Sequence, residues 1–131
     1  MPTFDPALLQ MPTDLTEIQR LCHFQSDKNG WWKDLPQIEP QRSFFLATKI
    51  ALIHSELSEA LEGLRTNAQD AHLPQYSSIA VELADALYRI LDLAESLNIN
   101  LNQVWWEKHL YNIMREDHKP ANRSKPGGKK F

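Results

Sequence analysis

Two long segments constrain this chain more than anything else in it. From Arg42 to Arg65 apolar residues recur at Leu46, Ile50, Ile53, Leu57, Leu61 and Leu64, and from Ser77 to Leu97 at Ile79, Leu83, Ala86, Ile90, Leu93 and Leu97. At about 100° per residue each set forms one continuous stripe, the signature of an amphipathic helix with one core-facing side. A second sector on the first segment, about 120° to 160° from the stripe, gathers Phe45, Leu52 and Gly63. A helix with two apolar sectors is covered on both sides, and one short bundle cannot do this alone, so the pattern predicts a homo-oligomer.

The rest of the chain fits the same class. Only four glycines occur and no β-branched alternating run appears, so an all-α four-helix bundle-type domain is expected. A first helix runs from about Thr13 or Asp14 as N-cap to Asp27, where "KNG" stops it. "WWKDLPQIEPQ" reads as a proline-bearing loop, and "TNAQDAHLPQ" breaks the chain between helices two and three. A fourth helix is expected from Leu101 to Asp117. This gives one catalytic-size domain over residues 1–118 and a polar, basic tail over 119–131.

The charge pattern excludes several function classes. A net charge of −3 over 131 residues offers no global basic field for nucleic acid or an anionic membrane. The single cysteine, Cys22, excludes an intrachain disulfide framework and Cys-rich zinc patterns, and reads as a small apolar filler in a reducing compartment. The opening "MPTFDPALLQMPTDL" lacks the basic and apolar regions of a signal peptide, and no run approaches the roughly 18 apolar residues of a membrane span. A cytoplasmic protein is expected.

Acidic residues interrupt this picture. Glu56 and Glu59 lie in or beside the second apolar sector of helix two, together with Lys49, while Glu82, Asp85, Arg89 and Asp92 form a strip along the edge of helix three. Each helix thus carries an i,i+3 carboxylate pair, Glu56/Glu59 and Glu82/Asp85. Were the two pairs to face each other, four carboxylates would converge, losing hydration at several kcal/mol per ion unless something positive joins them. A hard divalent cation with a preference for oxygen ligands answers that need. The alternative is an ordinary solvated face, with the acids paired to Lys49, Arg89 and Lys108; Glu62 turns toward the polar side and is expected to be exposed.

At these residues the chain resembles the MazG-like all-α nucleoside triphosphate pyrophosphohydrolases, whose hallmark is E-E-x-x-E on one helix and E-x-x-D on the next. The counterparts here are "SELSE" (Ser55 to Glu59) and "ELAD" (Glu82 to Asp85), within "KIALIHSELSEALEGLR" and "VELADALYRILDLA", with "KHLYN" and the closing "GGKKF" further on. The resemblance implies a bundle that assembles as a dimer or dimer of dimers and binds Mg²⁺, with Mn²⁺ as a substitute, through Glu56, Glu59, Glu82 and Asp85. It implies cleavage of a (d)NTP between the α and β phosphates to a (d)NMP and pyrophosphate, with a role in nucleotide-pool cleaning. Ser55 departs from the pattern by replacing a glutamate, which lowers the charge available for metal.

Triphosphate hydrolysis needs an aligned water, neutralised phosphates and a fixed leaving group. Glu59 is chosen as the group that takes the water's proton, with Glu56 as the alternative. Lys108, Asn112 and Arg115 share one face of helix four at i, i+4 and i+7, and the resemblance puts Lys108 and Asn112 at the substrate. Lys49 can reach a phosphate or neutralise the acids, and Lys129 in "RSKPGGKK" adds a further cation beside flexible glycines. Of Trp31 and Trp32, an exposed indole would stack on the base; Trp105 and Trp106 read as core or interface, and His23, His54 and His109 as packing or surface residues. Phosphoribosyl-ATP pyrophosphohydrolysis and a non-catalytic helical interaction module are the rival readings.

Overall fold

The computed structural model describes residues 14–131, so Thr13 and the opening stretch lie outside the described residues. The described chain is all-helical: α1 (Leu15–Lys28), α2 (Gln41–Thr66), α3 (Ser78–Ser96), α4 (Leu101–Met114) and α5 (Pro120–Arg123), with a 3-10 turn at Glu116–His118. The one β-type contact among the described residues is an isolated bridge between Gln69 and Ser77. No described helix is long and apolar enough to cross a membrane.

The boundaries follow local chemistry. The Asp14 carboxylate accepts the Glu17 amide and opens α1. Asn67, in the left-handed region at φ 51°, closes α2. The α2–α3 connection is held by Asp70, whose Oδ2 accepts the amides of His72 and Leu73 at 2.8 and 2.7 Å. Asn100 caps α4 by accepting the Gln103 amide. That helix ends at Met114 rather than Asp117, because Arg115 adopts an extended conformation and forks onto Asp117.

The chain divides into a unit ending at Ile99 and a unit of Asn100–Phe131. In the first, α3 is the middle helix, packed by α1 on one side and α2 on another. The α1–α3 contact includes Gln19, whose amide nitrogen donates to Glu95 and to the Ile99 carbonyl at 2.7 and 2.8 Å. The buried apolar residues are small or few: Cys22, Trp32, Ala60, Ala86, Leu91 and Ala94. Burial pushes the Cys22 thiol up to about 11, as expected of an inert filler.

Here the structure corrects the expected core. Most of the broad stripe of α2 stays open in the single chain: Ile50 and Leu57 are about half exposed and Leu61 and Leu64 are 59% and 62% exposed, while Leu46 and Ile53 are partly buried. On α3, Leu83 and Ile90 are exposed, as is Leu97 just past its end, while Ala86 of the same stripe is buried and Ile79 and Leu93 are partly buried. The buried positions of α2 are instead Glu56, Ala60 and Gly63. Small side chains let two backbones approach closely, and this narrow sector is what α2 turns toward α3.

Gly63 shows how tight that approach is. A Cβ there would lie 2.8 Å from the Ser78 hydroxyl oxygen, 2.9 Å from its Cβ and 3.1 Å from the Ile79 nitrogen, all at the start of α3. Gly63→Ala is therefore expected to destabilise the fold by about 1 to 2 kcal/mol, an overpacking cost only partly offset by alanine's better helix propensity. A urea midpoint equal to or above wild type would show that α3 yields there.

In the second unit, the Asp117 carboxylate accepts Arg115 at both oxygens and Lys129 at 2.7 Å. Glu116 pairs with Lys119, and Arg123 donates to the Lys129 and Lys130 carbonyls. Gly128 fits only because it lacks a side chain, since a Cβ would fall 2.3 Å from the Arg123 carbonyl oxygen. The basic segment after Asp117 thus folds back on itself through specific bonds.

Candidate functional site

The close approach of α2 and α3 brings acids from both helices together. Glu56 and Glu59, one turn apart on α2, and Glu82 on α3 each offer a carboxylate oxygen, and the three oxygens lie within 4.8 Å of one another. Glu56 is buried, Glu82 partly buried and Glu59 exposed, so the cluster opens to solvent on one side. Three of the four expected carboxylates converge. The fourth, Asp85, is exposed and lines the neighbouring cleft.

The protonation of these groups reflects their crowding. Burial, then the negative charge of Glu59, pushes the Glu82 carboxyl up to about 7. Glu59 is pushed up by its hydrogen bond to Glu56 and by that neighbour's charge. Asp85, exposed at its surface but partly desolvated against the cleft, is raised by that loss of hydration and by the charge of Glu56. Burial also pushes Glu56 upward, but hydrogen bonds from Arg89 and Glu59 and the charge of Arg89 prevail, and its carboxyl ends below the ordinary range. One guanidinium thus serves three crowded carboxylates, which leaves an excess of negative charge.

An all-carboxylate set of this kind fits a hard cation. Mg²⁺ takes oxygens at about 2.0 to 2.1 Å, so neighbouring ligand atoms stand roughly 3 to 4 Å apart, and a spread of up to 4.8 Å closes with small side-chain rotations. Ser55 adds nothing to the set, because its hydroxyl donates to the Leu52 carbonyl of its own helix at 2.6 Å.

Beside the cluster, Trp31, Glu56, Asp85, Tyr88 and Arg89 line a cleft of about 180 Å³. Arg89 Nε donates to Glu56 Oε1 at 2.6 Å, and its guanidinium carbon stands 5.7 Å from the Trp31 ring centroid. Although Arg89 shares the strip of α3 with Asp85 and Asp92, its bonded partner is across the helix interface on α2. Trp31 is about half exposed at the cleft. Its neighbour Trp32 is only 6% exposed, so its indole is closed to a base.

What holds Trp32 is a network that sequence reading did not find. The Trp32 indole N–H donates to Asp92 Oδ1 at 2.9 Å and to Ser26 Oγ at 3.1 Å. The Ser26 hydroxyl donates to Asp92 Oδ2 at 2.7 Å, and His23 Nδ1 lies 2.8 Å from Oδ1. Asp92 is therefore a buried anchor tying α1, the tryptophan loop and α3 together. The periodicity placed it on an acidic edge, and no local signal marked it as buried.

Lys49 is drawn into the same layer. Its ammonium donates to the Trp31 carbonyl at 3.0 Å and lies over the rings of Trp32 and Phe45, at 4.4 and 5.2 Å from their centroids. Burial lowers its pKa. Lys49 thus braces the tryptophan loop, with no carboxylate in salt-bridge contact among the described residues.

The remaining expected substrate residues belong to the second unit. Lys108 lies over the Tyr111 ring at 4.6 Å. Arg115 and Lys129 are both engaged by Asp117. Asn112 Oδ1 is shut off from solvent and has no hydrogen-bond partner among the described residues. Trp105 stacks on His109 with an interplanar angle of 6°, and both Trp105 and Trp106 are about half exposed, so they are not core residues of the single chain. No family model, curated protein or solved structure matches this chain.

Proposed function

We propose that this chain is a MazG-like, Mg²⁺-dependent pyrophosphohydrolase that cleaves a (d)NTP to a (d)NMP and pyrophosphate. The observation that carries the reading is the meeting of Glu56, Glu59 and Glu82, contributed by two helices, with one oxygen from each within 4.8 Å. A divalent ion held there would neutralise phosphate charge and lower the pKa of a bound water. Glu59 is the most exposed of the three, so it is the carboxylate placed to take a proton from the attacking water. Glu56 would help hold the ion, and Trp31 offers its exposed face to the base.

Assembly as a dimer or dimer of dimers belongs to the same reading. It is supported by the exposure of large apolar residues on both helices, Ile50, Leu57, Leu61 and Leu64 on α2 and Leu83 and Leu87 on α3, of the kind that marks an interface. A second reading, a helical interaction module without catalysis, is favoured by the Arg89–Glu56 pair, which shows that part of the cluster charge is met within the protein.

Pyrophosphate release from a panel of canonical and modified NTPs and phosphoribosyl-ATP, with and without Mg²⁺, separates these readings. Mg²⁺-dependent release from at least one nucleoside triphosphate, reduced at least about 100-fold in Glu59→Gln, is the expected result. Cleavage of phosphoribosyl-ATP alone would move the assignment to histidine synthesis, and no cleavage of any substrate would leave the interaction module.

A further inference from the structure

Arg89 occupies an unusual position in the cluster it partly neutralises. It is permanently charged, and only its Nε is hydrogen-bonded, to Glu56; its Nη groups donate to no other described residue. The guanidinium lies between that carboxylate and the exposed ring of Trp31, at the wall of a cleft of about 180 Å³ that leaves room for the side chain to move. A divalent ion bound by Glu56, Glu59 and Glu82 would sit within a few ångströms of this guanidinium, and like charges at that separation in a partly desolvated site repel strongly.

We propose that Arg89 is the resident counter-cation of the cluster: it gives up Glu56 when a divalent ion binds, and the freed guanidinium turns along Trp31 into the cleft to meet the anionic end of the substrate. This rests on the metal-binding reading above and adds a positioning role for Arg89 to it. Arg89 holds Glu56 in place while the site is unloaded, so the carboxylate is not left buried without a partner. Once displaced, the arginine offers its donor fork to an oxyanion, the geometry for which guanidinium is better suited than an ammonium. Metal loading and phosphate recognition are thereby linked through one side chain, and Trp31 reports the exchange.

MgCl₂ binding measured by calorimetry and by tryptophan fluorescence on wild type, Arg89→Gln, Arg89→Lys and Trp31→Phe tests this. Wild type should bind Mg²⁺ with a change in emission that is lost in Trp31→Phe. Arg89→Gln should bind Mg²⁺ about tenfold more tightly or better, since the competing charge is gone, and should show no emission change on loading. Arg89→Lys, which keeps the charge but not the planar fork, should fall between the two and serves as the deciding variant if Arg89→Gln does not fold. Equal or weaker Mg²⁺ binding in the folded Arg89 variants would overturn the proposal, as would a full emission response in Trp31→Phe. Those outcomes leave the metal site standing, whereas a wild type that binds no Mg²⁺ at millimolar concentration removes the metal reading and this one with it.

Discussion

Replacing Asp92 by alanine should cost the fold about 3 to 5 kcal/mol, the range for removing one partner from a buried charged network. Asp92 is 5% exposed and meets three side chains from two other segments: His23 and Ser26 on α1 and Trp32 in the loop. Truncation leaves the Trp32 N–H with only Ser26, leaves the Ser26 hydroxyl without its acceptor, and opens a buried polar hole. For a chain of this size the loss corresponds to a melting temperature lower by about 10 to 15 °C. Asp92→Asn, which keeps the shape and one acceptor oxygen, should lose about half as much. Because Trp32 adjoins Trp31, the alanine variant should also loosen the cleft wall and raise the exposure of Trp31 to a soluble quencher. A melting temperature within about 2 °C of wild type would show that the network does not carry the fold.

The helices were legible in the sequence because their ends are set by local chemistry. Asp14, Asn67 and Asn100 act on amides and carbonyls within a few residues, and no distant partner can alter that. Partner choice is another matter. Periodicity reveals that α2 has an apolar stripe, but most of that stripe is uncovered in the single chain, while the packed sector is marked by Ala60 and Gly63, which contribute little to any hydrophobic count. The acid pairs were legible as pairs because i,i+3 spacing fixes them on one face. Their convergence depended on the α2–α3 approach, and Asp85, identical in pattern to its neighbours, fell to the cleft wall instead of the cluster.

Side chains whose roles depend on long reach were the least readable. Arg89 has Asp85 four residues before it and Asp92 three after it, yet it bonds Glu56, 33 positions away in sequence. Asp92 and Ser26 are 66 apart, and nothing in either local sequence announces that they meet. Arg115 and Lys129 share a helical or tail position with solvent in any local reading; their common partner is Asp117, reached only because α4 stops at Met114.

Glu82→Gln should raise the stability of the metal-free protein at pH 8 and abolish its response to Mg²⁺. The Glu82 carboxyl, raised to about 7 from an ordinary value of 4.5, holds its proton in the folded protein across a window in which the unfolded chain has already released it. The folded state therefore binds the extra proton, and the stability contributed by Glu82 falls as pH rises from about 4.5 to about 7 and is level above that. Glu59 and Asp85, also raised, act in the same direction. Glu56, held down by Arg89, has the opposite sign, and its contribution is lost only as pH falls below the ordinary carboxylate range. With solvent screening discounted, removing the Glu82 charge is expected to return about 1 to 2 kcal/mol at pH 8. Mg²⁺ should bind wild type progressively more weakly below pH 7, by up to about tenfold per pH unit, because that proton must leave before the oxygen can serve as a ligand. Thermal melts of wild type and Glu82→Gln from pH 5 to 8, each with and without MgCl₂, carry the comparison. A variant that melts below wild type at pH 8, or that Mg²⁺ still stabilises, would mean that Glu82 helps hold the helices together rather than holding a cation between them.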